Sequence, residues 1–198
     1  MSPTHLSLLK RAQAGSAEGW QELADLYSPL IQGWLQKRGV AHHDAEELSQ
    51  DVMAVVIREL PQFKHSGRLG AFRRWLREIT AFRTKHFWRT RKAHPESPGG
   101  SEFSEIVKQL EDDSSPASRL WDREHDEYLL RVLFAQIEAE FEQTTVVAFR
   151  RLVLDSVPVK DVAAELNLSV GAVYTAKSRV LRKLRQEAEG LMDDSTFC

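Results

Sequence analysis

The sequence predicts an all-α protein in which two small helical domains are joined by an acidic, flexible linker. Apolar residues recur every three or four positions along most of the 198 residues, which is the period of an α-helix. No stretch of useful length alternates apolar and polar residues as a β-strand does. Between positions 93 and 118 the composition shifts to proline, glycine, serine and acidic residues, as in linkers. The predicted units are therefore residues 1–92, the linker 93–118 and residues 119–190.

Four helices are predicted in the first unit. The first ends at Gly15, and Ser16 is the expected N-cap of a second helix that ends at Gly39. A third helix is expected over 44–60, where apolar residues form one face and a proline follows. The fourth helix is expected over 71–91, after a loop that contains glycine.

The second unit carries the most specific local pattern. Helices resume near Leu120, and a short helix over 159–166 precedes a tight turn that contains Asn167. Asparagine tolerates the left-handed conformation that such turns need. Ser169 can then cap a second helix over 170–185. This succession predicts a helix-turn-helix, and the alternative is an ordinary helical hairpin with a basic outer face.

Bulk composition excludes several classes of protein. Hydrophobic residues make up 42% and charged residues 28%, as in globular domains. No apolar run approaches the ~20 residues of a membrane span, and the first ten residues do not resemble a signal peptide, so we expect a cytoplasmic protein. Cys198 is the single cysteine, and adjacent His42 and His43 do not share a helix face. With no phosphate-binding or catalytic motif either, we expect no metal, no cofactor and no enzymatic activity.

Charge is distributed unevenly, although the net charge is only −2. Residues 73–92 contain eight Lys/Arg and one acid, and residues 170–185 contain five Lys/Arg and no acid. Between them, residues 102–127 contain nine acids and three basic residues. Two basic segments separated by an acidic one predict two contacts with a polyanion, whereas the alternative is a pair of solvated helix faces.

Aromatic residues lie among the basic ones in the predicted fourth helix. We expect Phe72, Trp75 and Ile79 to face the core, and the residues expected to face outward are Phe82, Lys85, His86 and Arg89. Outward aromatic rings can stack on unpaired bases, at ~1–3 kcal/mol per base, so this segment is suited to hold opened DNA. On the predicted second helix of the helix-turn-helix, residues near the N-terminal end are the candidates for base edges, and the later basic residues are candidates for phosphates.

Together these segments resemble the extracytoplasmic-function (ECF) type of bacterial RNA polymerase sigma factor. Residues 44–52 are similar to region 2.2, which in that family docks on the clamp helices of core RNA polymerase. Residues 72–80 and 83–91 are similar to regions 2.3 and 2.4, which read and melt the −10 element. Residues 162–166 and 169–181 are similar to region 4.2, which reads the −35 element.

The resemblance assigns roles to three sets of residues. For docking on core polymerase these are Asp44, Glu47, Leu48, Gln50 and Asp51. For contact with −10 DNA they are Arg73, Arg77, Phe82, Arg83, Lys85, His86 and Arg89. For contact with −35 DNA they are Ser169, Gly171, Ala172, Tyr174, Thr175, Lys177, Arg179, Arg182 and Lys183. Phe82 and His86 stand where family members usually carry Asn and Asp.

The resemblance also implies partners and a geometry. The partners are core RNA polymerase and promoter DNA, with an anti-sigma factor as one means of control, and the free chain is expected to be a monomer. Sites two helical turns apart are separated by ~70 Å on B-DNA, which the linker spans only when extended. We expect its acids, Glu102, Glu105, Glu111, Asp112 and Asp113, to exclude or mimic single-stranded nucleic acid.

Three other interpretations account for parts of the sequence. A stand-alone helix-turn-helix regulator would use the second unit in the same way, but would not account for residues 72–91 and would normally dimerise on a palindrome. A helical interaction protein would bind no DNA. An enzyme acting on nucleic acid would need acidic metal ligands around a pocket, whereas the acids here concentrate in the linker.

Overall fold

The computed structural model describes residues 8–64, 70–91, 101–189 and 191, and in these ranges the chain is all-α with no β-strand. The nine α-helices of the described ranges are α1 (Leu8–Gln13), α2 (Ala17–Gln36), α3 (His42–Glu59), α4 (Ala71–Arg91), α5 (Ser101–Gln109), α6 (Pro116–Ile137), α7 (Gln143–Phe149), α8 (Val159–Glu165) and α9 (Val170–Glu187). Short 3₁₀ turns follow α3 and α6, and a π-helical turn follows α7. The predicted fold class is confirmed.

Local signals in the sequence account for the helix boundaries. The hydroxyl of Ser16 accepts a hydrogen bond from the backbone N–H of Gly19 at 3.1 Å, so it caps α2 as predicted. Ser169 caps α9 in the same way, through the N–H of Ala172 at 3.1 Å. Gly15 has a φ of 84°, which glycine adopts without steric cost.

Helices α1 to α4 pack around a shared apolar core. Leu23 and Ile31 of α2, Leu48 of α3 and Leu76 of α4 are fully buried in it. The ring of Tyr27 meets the ring of Phe72 edge-on, with centroids 5.4 Å apart. Aromatic pairs favour this arrangement, so α2 fixes the rotation of α4 about its axis.

Helices α8 and α9 form the predicted helix-turn-helix. Val162 and Ala163 of α8 pack against Val173 and Ala176 of α9 in a small apolar cluster. Asn167 in the turn has a φ of 52°, the left-handed conformation for which asparagine is suited. The side chains on the opposite face of α9 are left for solvent.

The predicted linker contains helical structure. Residues 93–100 lie outside the described residues, but within 101–118 α5 spans the first half, a turn follows it, and α6 begins at Pro116. Phe103, Val107 and Leu110, spaced four and three apart, are buried. Their burial stabilises α5 against α4 and α6. The expected flexibility of the linker stays a prediction, while the amphipathic stretch within 101–118 buries its apolar face.

Helix α6 joins the two predicted units through one continuous core. It contacts α2, α4, α5 and α9. Trp121 of α6 lies edge-on against Trp34 of α2, with ring centroids 5.0 Å apart. Farther along α6, Phe134 packs on Phe149 of α7, with centroids 4.6 Å apart. The division of the chain into two functional domains stays a prediction. No helix among the described residues has the length and hydropathy to cross a membrane.

Candidate nucleic-acid interface

Helix α9 presents its predicted −35 residues on one outer face. Val173, Ala176, Val180 and Leu184 are buried on the opposite face. The predicted contacts that are exposed are Ser169, Gly171, Tyr174, Thr175, Arg179 and Arg182, and those that are half-buried are Ala172, Lys177 and Lys183. The surface therefore has small and aromatic groups at the N-terminal end of the helix and cations farther along.

Tyr174 is the most prominent apolar group of this surface, with 50% of the residue exposed. An aromatic ring on a solvated helix face gains little from packing, so it is available for contact with a partner. Gly171 is not required by packing, because a Cβ atom there would meet only the Ser169 hydroxyl, at 3.8 Å. Without a side chain, Gly171 leaves the first turn of α9 open to close approach.

Lys183 is the exception on α9. Its ammonium lies 3.1 Å from a carboxylate oxygen of Glu140 and 3.2 Å from one of Glu187. Hydrogen bonds to these two carboxylates raise the pKa of Lys183. The side chain is thus engaged within the second unit and is less available for phosphate than Arg179 or Arg182.

The predicted −10 residues on α4 fall into two groups. Toward the C-terminal end, Phe82 is 64% exposed, Arg89 is exposed and His86 is half-buried. Arg83 donates to a carboxylate oxygen of Asp51 at 2.6 Å, and Lys85 lies 2.5 Å from Glu111. These side chains form an outward surface, as predicted, although two of its cations are paired with acids.

Toward the N-terminal end of α4, the predicted DNA contacts are covered. Arg77 is only 2% exposed. Its Nε donates to the carbonyl of Leu110 at 3.1 Å and its Nη1 to Asp122 at 3.0 Å, while Nη2 donates to Asp113. In the observed conformation, a DNA phosphate cannot reach the guanidinium of Arg77. The predicted direct contact between Arg77 and DNA is therefore not possible in this conformation.

Arg73 lies one turn before Arg77 and is held by the same helix of the second unit. Its Nη1 donates to both carboxylate oxygens of Asp126, at 2.8 and 2.7 Å. Its Nε lies 3.2 Å from Asp122. Asp122 therefore bridges both arginines, while the two oxygens of Asp126 share a single nitrogen of Arg73.

The acids of α6 are functional candidates that the sequence reading missed. Asp122 and Asp126 are spaced four apart, as are Arg73 and Arg77, so each pair lies on one helix face and the two pairs can meet. The matched spacing of opposite charges is the signal that could have predicted this contact. In the sequence, these acids add to the negative charge of residues 102–127, and that charge alone indicates no partner for them.

A second group of contacts holds α6 against α2 and against Arg38, which follows α2. Glu124 lies 3.1 Å from the guanidinium of Arg38, which itself stacks 4.0 Å above the ring of Trp34. His125 is fully buried, with Nε2 lying 3.4 Å from the Tyr27 hydroxyl and Nδ1 2.9 Å from Asp126. Burial lowers the pKa of His125, and the neighbouring Asp126 carboxylate opposes this shift. The imidazole is therefore suited to remain neutral.

The predicted polymerase-docking residues lie along α3. Glu47 and Gln50 are exposed, and Asp44 and Asp51 are half-buried. Leu48 is a correction, because it is 0% exposed and packs in the core; apolar residues at this spacing face inward. Asp51 contacts Arg83 of α4, so the predicted docking surface adjoins the predicted −10 surface.

The comparison with known proteins agrees with the resemblance seen in the sequence. The chain is similar to the ECF RNA polymerase sigma factor ShbA of Streptomyces griseus. The two are 26% identical over 188 residues, which is 92% of this chain and 94% of the relative. No protein-family model matches the chain. The similarity extends across nearly the whole length, so it includes both predicted DNA-contacting surfaces.

Proposed function

We propose that this chain is an alternative sigma factor of the ECF type. It binds core RNA polymerase in the cytoplasm and directs initiation at promoters with two sequence elements. Helix α9 reads the −35 element as duplex, and the outward surface of α4 holds the opened −10 element. The chain contributes binding energy rather than catalysis, and an anti-sigma factor is a further expected partner.

The similarity to ShbA over 92% of the chain carries this proposal. It is supported by the helix-turn-helix, whose recognition helix presents Tyr174, Thr175 and Arg179 outward. It is also supported by Phe82, because an exposed ring among cations is the combination that binds unpaired bases. A dimeric helix-turn-helix regulator would need the α9 surface but has no use for the one on α4.

The α3 surface supports the docking role. Glu47 and Gln50 project from one side of α3, while its apolar side is fixed in the core by Leu48 and Val52. A rigid helix with polar groups on its free side is suited to pack against helices of a larger partner. Gln50→Ala is the sharper test variant, because Asp51 also holds Arg83.

The test is retention of purified core RNA polymerase by the immobilised protein, followed by run-off transcription from a promoter library. The proposal predicts retention of core and enrichment of a two-part promoter. Gln50→Ala is expected to reduce both, while Gln21→Ala, on the exposed face of α2, leaves both unchanged. Sequence-specific duplex binding by the protein alone, without retention of core, would contradict the proposal and favour a stand-alone regulator.

A further inference from the structure

Two exposed apolar side chains lie together at the start of α9. Among the described residues, the large apolar residues that are exposed are Ile57, Phe82, Val170 and Tyr174. Val170 is the first residue of α9 and is 40% exposed, while Tyr174 is 50% exposed. Because they are four positions apart, they share one face of the helix. A single exposed apolar residue is common, but a pair on one helix face indicates a contact with a partner.

Packing within the chain does not account for this pair. Helix α9 is fixed in the protein by Val173, Val180 and Leu184, which are fully buried. Among the described residues, Val170 and Tyr174 belong to neither of the two apolar clusters. Their apolar surface therefore adds little to the stability of the fold, and its burial against a partner is favourable.

The polar groups at this end of α9 are engaged within the helix. The Ser169 hydroxyl accepts a hydrogen bond from the N–H of Ala172 at 3.1 Å. The Thr175 hydroxyl donates to the carbonyl of Gly171 at 2.9 Å.

The side chains that usually read base edges are also missing from this end. Positions 169–176 contain no Arg, Lys, Asn, Gln, Asp or Glu, and these residue types make the specific hydrogen bonds to guanine, adenine and cytosine in the major groove. Recognition of bases by the start of α9 therefore depends on apolar contact.

The major groove of DNA offers one apolar group for such a contact, which is the C5-methyl group of thymine. The Cα atoms of Val170 and Tyr174 are ~6 Å apart along the helix axis. Base pairs stack every ~3.4 Å, so the pair can reach methyl groups on a short run of neighbouring base pairs. Gly171 lies between them and carries no side chain, so it leaves room for the bases to approach.

The cations farther along α9 favour nucleic acid as the partner. Arg179 and Arg182 are exposed, and they follow Tyr174 at a distance of one to two helical turns. Contacts of cations with phosphates position a protein on DNA but carry no sequence information. The two ends of α9 are thus suited to different tasks, because the cations can fix the helix in the groove while the apolar pair contacts the bases.

We propose that Val170 and Tyr174 recognise thymine in the −35 element through contact with its C5-methyl group. The proposal rests on the function proposed above, since it names the base that the α9 surface selects. Val170 is then a specificity-determining residue, and Tyr174 acts through its ring. Cytosine lacks the methyl group and presents an amino group in the groove, so its contact with the pair would desolvate a polar group without a hydrogen bond.

The test replaces the thymines of the −35 duplex one at a time by deoxyuridine, which lacks only the methyl group and pairs with adenine in the same way. The duplex is the upstream element enriched from the promoter library. Its binding by the complex of core polymerase with the full-length chain is measured by fluorescence anisotropy. At a contacted thymine, loss of the methyl group should weaken binding by wild type about fourfold, the factor expected for one buried methyl group.

Variants of α9 show whether this loss arises from the proposed contact. Val170→Ala and Tyr174→Ala should each bind the thymine and deoxyuridine duplexes with nearly equal affinity at the position that the removed side chain contacts. Tyr174→Phe keeps the ring and should keep the fourfold preference. Arg182→Gln, on the same helix, is the control, because loss of a phosphate contact should weaken binding of both duplexes equally. Circular dichroism checks that the variants are folded, as expected for changes at exposed positions.

Two results would overturn the proposal. One is equal binding of thymine and deoxyuridine duplexes by wild type at every position of the −35 element. The other is a wild-type preference for thymine that both Val170→Ala and Tyr174→Ala retain.

Failure of this inference is distinguishable from failure of the proposed function. A chain that retains core polymerase and initiates equally well with and without the methyl groups refutes the apolar recognition and leaves the sigma function standing. A chain that neither retains core nor selects a two-part promoter refutes the sigma function before any thymine is replaced.

Discussion

Helices α4 and α9 both carry cations that were expected to contact DNA, but those cations meet different neighbours. On α9, Arg179 and Arg182 are exposed, and within the described residues Lys183 is the predicted contact that is paired with acids. On α4, Arg73 and Arg77 are held by acids from a later part of the chain. Similar charge patterns therefore lead to one open surface and one closed surface.

The difference teaches that a basic segment in a sequence does not by itself define an available binding surface. Among the described residues, the acids placed beside a predicted contact of α9 are Glu140 and Glu187, and both contact Lys183. The cations of α4 are followed by an acidic segment long enough to fold back onto them. Availability depends on which other segment can reach the surface.

The largest expected effect comes from Arg77→Ala. It removes a buried guanidinium with three acceptors and leaves the carbonyl of Leu110 unpaired, so the free energy of unfolding should fall by about 3 kcal/mol. The same change at exposed Arg179 on α9 should alter it by less than ~0.5 kcal/mol. Urea unfolding followed by circular dichroism measures both. Equal effects at the two positions would contradict the difference between the closed surface of α4 and the open surface of α9.

Phe82→Ala tests the part of α4 that remains open. Because the ring is 64% exposed, stability should change by less than ~0.5 kcal/mol. Loss of stacking should weaken binding of single-stranded −10 DNA by the polymerase complex by ~1–3 kcal/mol, measured by fluorescence anisotropy.

Tyr174→Ala is the counterpart on α9 and should weaken binding of −35 duplex DNA instead of single-stranded DNA.

Phe82→Tyr is the control for Phe82→Ala. It keeps an aromatic ring and should retain most of the wild-type affinity for the single strand. If Phe82→Ala binds the single strand as well as wild type does, α4 is not the surface that holds the opened strand.

A fall in pH should lower the free energy of unfolding through His125, which is buried where α6 packs on α2. Its pKa is lowered in the folded state, so the stability it contributes is fully present above the unfolded value of about 6.5. That stability is lost as the pH falls toward the folded pKa, by at most about 1.4 kcal/mol per pH unit. The charged or titratable groups that face it are Tyr27, Arg73, Asp122 and Asp126.

His125→Gln should flatten the dependence of unfolding free energy on pH between 6.5 and 5, as measured by urea titrations at each pH. His43→Gln, at an exposed position of α3, should keep the wild-type slope. An unchanged slope in His125→Gln would show that another group controls the acid response.

The smallest effect is expected at the cap of α9. Ser169→Ala removes the hydroxyl that accepts from Ala172 N and should cost about 1 kcal/mol of unfolding free energy. Ser178→Ala, at an exposed position within the same helix, should cost nothing, because alanine favours helix. Thermal unfolding of both variants measures the difference. A loss at Ser178 as large as that at Ser169 would assign the effect to general helix propensity.

Much of the fold was predictable because its local signals are strong. The bounds of α4 agree with the predicted 71–91, and the caps at Ser16 and Ser169 lie where expected. The outward position of Phe82 also followed from helical spacing. These features depend on residues within one or two turns of each other, which a sequence displays directly.

The closed interface was not predictable in the same way. The burial of Arg77 depends on Asp113, Asp122 and the carbonyl of Leu110, which lie more than thirty residues away. Phe103, Val107 and Leu110 are spaced so that they share one helix face, but this spacing does not show which element the face meets. Long-range packing determines both the burial of Arg77 and the burial of the apolar face of α5. In the sequence, only the matched spacing of opposite charges on α4 and α6 indicates such packing.

The most direct test of the account is the distance between α4 and α6, in the free chain and in an active complex. Spin labels at Thr90→Cys and Glu127→Cys, in a Cys198→Ser background, would report it by double electron–electron resonance. The account predicts one narrow, short distance in the free chain, which shifts to longer distances when core polymerase and opened promoter DNA bind. The same short distance in a complex that initiates transcription would contradict it.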